Sequence, residues 1–406
     1  MNIVYITAKT PWSSKETFIL PEIQEIRRQG HQITVIPLRP GKAVIAGQEA
    51  MRVAEISVRL PLIGFKVLGM GLAAAIRHPL GVISTLGRLL RAWRTPRKLL
   101  KNLAVFPKAL AVVRLVDEIK PDHIHAHWAS TPSTAAYIAA RVCHMPWSFT
   151  AHRWDISENN MLQEKVRSAK FVRAISRQGR AEIRQVVGKP LAGKCKVIHM
   201  GVAVRQGLNA ENQALMEGKS DKFVFSCPAY MILKKGHRYL IEACGLLKNR
   251  GKPFYCWLFG DGPLEGELRR QVKSLGLEGV VAFKGRWPHD ALLGLYENGS
   301  IDTVVLPSIE TESGDKEGIP VSLIEAMARG VPVISTPTGG IGELLREESG
   351  VLVPERNAQV LMEAMETLMG DPEYLRTIAG RGRRLVFAEY GIETVVKDLL
   401  ELIKLE

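Results

Sequence analysis

Short apolar runs alternate with amphipathic stretches along most of this chain of 406 residues. Residues 2–8 and 32–38 are short and apolar, as in buried strands, and the periodic stretch 16–29 between them predicts a helix that ends at Gly30. Further strands are predicted at residues 122–127, 147–151, 171–175 and 196–199. Strands that alternate with helices predict a parallel sheet with helices on its faces.

The same pattern starts again after residues 205–221, a polar stretch without periodicity that we interpret as a linker. We expect a Rossmann-like domain over residues 1–204, a second one over residues 222–388 and a C-terminal helical segment over residues 389–406, since a chain of this length suits two cores. Strands of the second series are predicted at residues 223–227, 255–259 and 303–306, and the closing helices at 358–369, 372–389 and 393–405.

Composition is ordinary for a globular protein, with 46% apolar and 24% charged residues. The five cysteines include no C-x-x-C pair, so we expect reduced, mostly buried thiols in a cytoplasmic protein. Residues 1–8 lack the basic start of a signal peptide. Uncharged stretches in the most basic segment, such as residues 67–76, are no longer than ten residues, whereas a membrane-spanning helix needs about twenty.

The net charge of +14 is concentrated in the first half of the chain. Residues 1–200 carry 31 Lys+Arg and 12 Asp+Glu, and residues 56–116 contain eleven basic residues and no acidic one. Apolar and basic side chains fall on different arcs of a helix around residues 86–101, which suits an anionic bilayer surface. An ordinary packing helix with a solvated basic face is the alternative, and no recognition motif indicates a specific nucleic-acid partner. The predicted membrane patch consists of Arg88, Arg91, Trp93, Arg94, Lys98 and Lys101.

Two carboxylates, Glu317 and Glu325, flank a Gly-Ile-Pro turn and the start of an apolar helix. Proline suits a first helical turn, so we expect the helix to begin at Ile319 or Pro320. The amides of Val321 and Ser322 would then form an anion site, and a ligand phosphate there would bring hydroxyls to both carboxylates. A nucleotide sugar fits this description. The alternative is a solvated loop residue followed by a polar position on an amphipathic helix.

These residues resemble the E-x7-E motif of the retaining family 4 glycosyltransferases (GT4), which have the GT-B fold. Residues 122–127 resemble the D-x-I-H-A-H strand of that family, residues 150–152 its T-x-H position, and residues 14–19 the S-x-E-T-F-I form of exopolysaccharide and colanic-acid-type transferases. The resemblance implies an α/β protein of the GT-B type. Such a protein has two Rossmann-like domains facing a central cleft, and its C-terminal helix crosses back to the N-terminal domain.

The resemblance also implies roles for individual residues. Implied catalytic residues are His152 near the donor sugar, Lys235 on the donor diphosphate and Glu317 on the sugar hydroxyls. Implied donor-binding residues are Gly260, Gly262, Arg286, Trp287, Ser308, Gly318, Ile319, Pro320, Val321, Ser322 and Glu325, the last of these on the ribose. Acceptor-side candidates are Ser14, Lys15, Glu16, Thr17 and His127.

We predict a retaining transfer of a sugar from a UDP- or GDP-sugar to a lipid-linked or polysaccharide acceptor, by a cytoplasmic protein peripheral on the inner face of the cell membrane. His123, His125 and His127 share one face of a predicted strand and could hold a metal ion. No carboxylate or thiolate nearby completes that ligand set. We expect neither a cofactor nor an obligatory metal, because no D-x-D-like pair lies at the cleft and basic groups can replace the cation.

Two other classes of protein stay open. One is a GT-B enzyme with different chemistry, such as a sugar-nucleotide epimerase or a phosphorylase-like enzyme. The other is a non-catalytic, basic, membrane-associated scaffold. Three departures from the family pattern favour the scaffold: Tyr230, residues 13–15 and Ala203. At the position of Tyr230 the family commonly has an arginine on the donor diphosphate.

Overall fold

The computed structural model describes residues 1–44, 47–91, 95–204 and 222–405, and for Ser14 and Lys15 the backbone alone. The chain divides into two compact units, Met1–Gly201 with Val395–Glu406, and Val202–Thr394. The predicted linker at residues 205–221 lies outside the described residues.

The first unit is built on a sheet of six parallel strands in the order β2-β1-β3-β4-β5-β6. Every residue of β3, β4 and β5 is buried, as expected for strands covered on both faces. The strands are β1 Asn2–Thr7, β2 Gln32–Pro37, β3 His123–His127, β4 Trp147–Ala151, β5 Phe171–Ala174 and β6 Cys195–Val197. The helices are α1 Leu20–Arg28, α2 Gln48–Glu55, α3 Phe65–Arg77, α4 Pro79–Arg91, α5 Pro96–Ile119, α6 Thr131–Val142, α7 Arg153–Glu158, α8 Leu162–Ser168 and α9 Arg177–Val187.

The first predicted helix starts later than its apolar period indicated. Ser14–Ile19 is a 3-10 helix, and α1 follows it from Leu20. Glu16 has φ −128° and ψ 20°, outside the helical region, and its carboxylate accepts hydrogen bonds of 2.8 Å from the amides of Lys9 and Thr10. The loop after β1 is therefore held by a side chain that the periodicity assigned to the helix.

The single amphipathic helix predicted across residues 86–101 is wrong, because α4 ends before α5 begins. Thr95 caps α5 by accepting a hydrogen bond from the amide of Lys98, and Pro96 occupies the first turn. Threonine followed by proline is a strong start signal for a new helix. The predicted membrane patch is divided accordingly: Arg88 and Arg91 lie on α4, Lys98 and Lys101 lie on α5, and Trp93 and Arg94 lie outside the described residues.

The second unit contains another sheet of six parallel strands, in the order β12-β11-β10-β7-β8-β9. The strands are β7 Phe223–Pro228, β8 Phe254–Phe259, β9 Val281–Gly285, β10 Thr303–Leu306, β11 Val333–Ser335 and β12 Val351–Leu352. The helices are α10 His237–Asn249, α11 Glu265–Ser274, α12 His289–Glu297, α13 Val321–Ala328, α14 Ile341–Leu344, α15 Ala358–Gly370, α16 Pro372–Glu389 and α17 Ile392–Lys404.

The last helix, α17, contributes most of its length to the first unit. There the side chain of Lys170 donates to the carbonyl oxygen of Ile403 at 2.9 Å. All five cysteines are free thiols and four of them are buried. For the half-buried Cys143, burial and the nearby Asp117 raise the pKa to about 12, which keeps the thiol protonated.

Two glycines of α16 give a matched test of packing in the second core. A Cβ atom at Gly382 would lie 2.6 Å from the carbonyl oxygen of Ser349, whereas at Gly380 the nearest atom would be a side-chain nitrogen of Arg384 at 3.7 Å. We expect Gly382→Ala to destabilise the protein by about 1–3 kcal/mol through overpacking. Gly380→Ala should instead stabilise it by about 0.5–1 kcal/mol, because alanine favours the helix. Thermal unfolding followed by circular dichroism measures both, and equal shifts in Tm would contradict the prediction.

Candidate active site

Lys235 and Glu317 form an ion pair near the carboxyl ends of two neighbouring strands, β7 and β10. The Nζ atom of Lys235 lies 3.1 Å from Oε1 of Glu317, and the two side chains are 16% and 9% exposed. Although the charges are close, this Oε1 atom has no hydrogen bond of good geometry among the described residues. A buried acceptor of this kind costs about 1–3 kcal/mol unless a donor reaches it, so it is suited to a ligand hydroxyl.

The start of α13 provides backbone donors beside this pair. The helix begins at Val321 and not at Ile319 or Pro320, because Pro320 has an extended ψ of 119° and acts as the N-cap. The amides of Leu323 and Ile324 donate to the carbonyl of Pro320, so those of Val321 and Ser322 precede the first intrahelical bonds. Both residues are partly exposed, and their amides are suited to binding an anion.

Gly339 holds the backbone of Glu317 in place. At φ +62°, a Cβ atom on Gly339 would lie 1.9 Å from the carbonyl oxygen of Glu317, a distance that no side chain tolerates. The next residue, Gly340, donates its amide to the carbonyl of Gly318 at 3.0 Å. The loop after β11 therefore supports the loop before α13.

The remaining donor-binding candidates follow strands of the same sheet or lie on its neighbouring helices. Oε1 of Glu325 lies 2.7 Å from Nε2 of His289, and Nε of Arg286 lies 2.7 Å from a carboxylate oxygen of Asp261. Gly260 and Gly262 flank Asp261 directly after β8, and the Trp287 ring packs edge-on against Phe259 at 5.3 Å between centroids. Ser308 is fully buried, and its hydroxyl has no hydrogen-bond partner among the described residues.

In the first unit, His127 and His152 form the centre of an aromatic cluster. His127 ends β3 and His152 follows β4, and their Nε2 atoms are 2.8 Å apart. The centroid of the Trp128 ring lies 4.4 Å from that of His152, and the centroid of the Phe18 ring lies 5.5 Å from it. Trp128 has φ 94°, which is rare for a bulky residue and is found where surrounding contacts impose it.

The acceptor-side candidates in the loop after β1 have different surroundings. Glu16 is 6% exposed, and the Trp128 indole donates to its second carboxylate oxygen at 3.1 Å. Both oxygens of Glu16 thus bind within the protein, which makes it an organiser of the loop. Thr17 is partly exposed, and the side chains of Ser14 and Lys15 lie outside the described residues.

The histidine strand was also a metal candidate, and the structure adds Glu22 to it. Ligand atoms of Glu22, His125 and His127 lie within 4.8 Å of one another. Both ring nitrogens of His125 already meet hydroxyls of β4, at 2.8 and 2.9 Å, and Glu22 is paired with Arg173. The donor set therefore has internal partners that compete with an ion. That no metal is required stays a prediction.

Helices α3 and α4 expose a face of large apolar side chains, which we call the α3–α4 face. Their exposed fractions run from 45% to 97%, and basic residues of α4, Arg88 and Arg91, are exposed nearby. Among the described residues no single helix is long and apolar enough to cross a bilayer. Taken together, α3 and α4 have the length and composition of a membrane-spanning segment, but the two helices are bent by 109°. The α3–α4 face consists of Phe65, Leu68, Leu72, Ile76, Leu80, Ile83 and Leu90.

The two Rossmann-like units define the GT-B class of fold. A crystal structure of Anabaena HepE in complex with UDP has a TM-score of 0.69 to this chain, with 19% identity over 99% of both chains. Sucrose-phosphate synthase from Thermosynechococcus elongatus has a TM-score of 0.70, with 18% identity over 99% of this chain and 98% of the other. At these identities the similarity shows the fold alone.

Family models identify the class more closely. The model of glycosyl transferases group 1 matches residues 211–385, and that of glycosyltransferase family 4 matches residues 16–206. The chain therefore belongs to the family 4, group 1 glycosyltransferases, and the resemblance drawn from the motifs is confirmed.

Two similar curated proteins are named for polysaccharide biosynthesis. The putative colanic acid biosynthesis glycosyltransferase WcaL of Escherichia coli (strain K12) is 36% identical over 173 residues, which is 42% of each chain. The amylovoran biosynthesis glycosyltransferase AmsK of Erwinia amylovora is 30% identical over 256 residues, 62% of each chain. These matches cover less than two thirds of either relative's length.

Sequence reasoning missed several residues around His127 and His152. Arg173 and Glu22 carried a usable signal, because a charged residue inside an apolar strand or on the buried face of a helix needs a partner. Trp128 follows the histidine strand directly, but its contact with His152 depends on a positive φ that no pattern reveals. His289 gave no signal, since its bond to Glu325 joins two separate helices.

The His289–Glu325 pair predicts a measurable titration. The hydrogen bond and the charge of Glu325 raise the pKa of His289 above its usual 6.5. The pair therefore stabilises the fold fully below the unfolded pKa, and this contribution is lost as pH rises through the raised folded value. In NMR titrations of the ring protons, Glu325→Gln should lower the pKa of His289, while Glu265→Gln, on another helix, should not. An unchanged pKa in Glu325→Gln would contradict this geometry.

Proposed function

We propose that this protein transfers a sugar, with retention of configuration, from a nucleotide-sugar donor to a lipid-linked or glycan acceptor at an anionic membrane surface. The observation that carries the proposal is the Lys235–Glu317 pair beside the start of α13. Its cation and backbone amides suit a diphosphate, and the buried Oε1 atom of Glu317 suits a sugar hydroxyl.

The chemistry follows from the charge that develops when the bond between sugar and diphosphate breaks. Lys235 and the amides of Val321 and Ser322 would stabilise negative charge on the departing phosphate. An ammonium group has three N–H donors, so Lys235 can donate to a phosphate oxygen while it stays beside Glu317. Losing one such preorganised donor typically costs on the order of 100-fold or more in rate.

The same pair bears on the retaining mechanism and on metal use. Because Lys235 lies 3.1 Å from the carboxylate, Glu317 is better suited to binding hydroxyls than to acting as a free nucleophile. Lys235 also supplies positive charge where many transferases use a divalent cation. We therefore infer that no metal is obligatory, and that Glu325 binds the ribose through an oxygen close to His289.

Relatives support the choice of substrates. The structure of HepE contains UDP, which makes a UDP-sugar the first donor to test. WcaL and AmsK are named for colanic acid and amylovoran biosynthesis, which supports a role for this chain in building an exopolysaccharide.

Nucleotide binding tests the donor site directly. In calorimetry with UDP, GDP and ADP in EDTA, we expect selective binding of one nucleotide. Lys235→Met should weaken it by about 10- to 100-fold, because a hydrogen bond to a charged group is lost. Lys248→Met is the matched control, since Lys248 donates to the carbonyl of Gly276 on the surface of the same unit.

Three outcomes would count against parts of the proposal. Binding that appears only with a divalent cation would contradict metal independence. Equal losses in both lysine variants would contradict the role of Lys235. No binding of any nucleotide would contradict the transferase and favour the non-catalytic scaffold, in which Tyr230 replaces the arginine of the family.

Membrane association rests on the α3–α4 face and on the basic residues of α4. Lys101, by contrast, pairs with Glu158 and lies 5.9 Å from the centre of the Trp154 ring, so it is committed within the protein. Apolar side chains that enter a bilayer beside exposed arginines are typical of proteins that lie on anionic membranes. This surface supports the proposed peripheral location on the inner face of the cell membrane.

Vesicle binding tests this surface. Leu72→Gln combined with Ile76→Gln should reduce flotation with phosphatidylglycerol vesicles by more than about 10-fold, because each side chain contributes about 1.5–3 kcal/mol when buried. Leu233→Gln, at a leucine that is 61% exposed in the second unit, is the control. Arg88→Glu with Arg91→Glu should weaken binding mainly at low salt. Unchanged flotation in both double variants would rule out this face.

A further inference from the structure

A buried hydrogen-bond chain joins Glu22, Tyr5, His127 and His152 inside the first unit. We propose that this chain holds His152 as a neutral imidazole with its proton on Nε2, and that Tyr5, Glu22 and Arg173 are positioning residues for that ring. The proton positions follow from the chain itself, starting at its charged end.

The charged end is the ion pair between Arg173 and Glu22, whose side chains are both fully buried. The Nη1 group of Arg173 donates to Oε2 of Glu22 at 2.5 Å. Burial raises the pKa of Glu22, but the charge of Arg173 and the hydrogen bonds from Tyr5 and Arg173 outweigh it and lower the pKa below the usual value. Glu22 is therefore ionised, and an ionised carboxylate can only accept hydrogen bonds.

Tyr5 must then donate its one hydroxyl proton to Oε1 of Glu22. The same phenol oxygen lies 3.3 Å from Nδ1 of His127. Because the hydroxyl proton is already used, Nδ1 of His127 has to be the donor in this second contact. Burial lowers the pKa of His127 well below its usual value, with further lowering by His152 and Arg173, so the ring is neutral and its Nε2 carries a lone pair.

His127 and His152 meet through their Nε2 atoms at 2.8 Å. Since His127 has no proton on this nitrogen, His152 must donate, and its own Nδ1 is left as an acceptor. At the start of α7, the backbone amide of His152 donates to Oδ1 of Asp155 at 2.8 Å, which fixes the position of this residue.

All donors in the chain therefore point in one direction, from His152 to the carboxylate of Glu22. Aligned hydrogen bonds polarise one another, so the buried charge of Glu22 favours this proton arrangement along the whole chain. Burial also lowers the pKa of His152 to about 3. The Nε2 proton of His152 is bound to His127 within the protein, so this proton is not available for transfer to a ligand.

Histidine ring NMR on the full chain tests the proposal. With histidine labelled by 15N, two-bond 15N–1H correlations distinguish a proton on Nδ1 from one on Nε2, and His127→Asn and His152→Asn assign the signals. We expect His127 protonated on Nδ1 and His152 on Nε2. The opposite tautomer at either ring would overturn the proposal.

Tyr5→Phe isolates the positioning role, because it removes one oxygen and keeps the aromatic ring. His127 then lacks an acceptor for Nδ1–H, so we expect both rings to show a mixture of tautomers where the native protein shows one. Tyr137→Phe is the control, since that buried hydroxyl in the same unit has no hydrogen-bond partner among the described residues. Unchanged spectra in Tyr5→Phe, with the fold retained by circular dichroism, would overturn the positioning role.

Glu22→Gln is a second variant, although it leaves the charge of Arg173 buried and can prevent folding. If it folds, mixed tautomers are expected again, and a single native tautomer would count against the proposal. That His152 faces a donor sugar rests on the proposed function, but the proton positions do not. Absence of nucleotide binding in the same samples would defeat the transferase and leave the tautomer assignment standing.

Discussion

The buried ion pair between Arg173 and Glu22 is the interaction on which the first unit's candidate site depends. Removing one partner would leave an uncompensated charge in the core, a loss of about 3–5 kcal/mol. Arg173 lies in β5 and also donates to the carbonyls of Ile198 and His199, while Glu22 lies on α1 and accepts from Tyr5 of β1. One buried cation therefore joins a helix, two strands and the segment after β6, and the two histidines are oriented by the anion that it stabilises.

The central charged pair of the second unit is less buried and less completely hydrogen-bonded, and this difference indicates which of the two sites accepts a ligand more readily. Its central pair lies at the sheet edge with both side chains slightly exposed, and one carboxylate oxygen lacks a good hydrogen bond among the described residues. In the first unit each charge and ring of the chain already has its partners. A phosphate can therefore bind at the site in the second unit without breaking a buried hydrogen-bond network. The site in the first unit offers a ligand a rigid surface and few free hydrogen-bond donors.

Much of the fold can be predicted from local sequence patterns, whereas the candidate site depends on pairs of residues that are far apart in the sequence. Strand positions and the carboxylates on either side of the start of α13 are readable because apolar runs and a Gly-Ile-Pro turn are local signals. The break between α4 and α5 was readable in principle, from Thr95 followed by Pro96. The pairing of Arg173 with Glu22 spans 151 positions, and it depends on how α1 and β5 come together in the fold, which no local pattern specifies.

A row of polar residues inside the first sheet also fixes its register. Tyr5 lies opposite His125 on β3, and His125 lies opposite Ser148 on β4. A slip of one residue would turn these groups to the other face, where Ile124 and Ala126 now lie. A slip of two would take His125 away from one of the two hydroxyls that its ring nitrogens contact. Apolar packing alone would distinguish the two-residue slip poorly, because it keeps the same faces. The buried hydrogen bonds therefore favour the register in which His127, at the end of β3, lies beside His152, which follows β4.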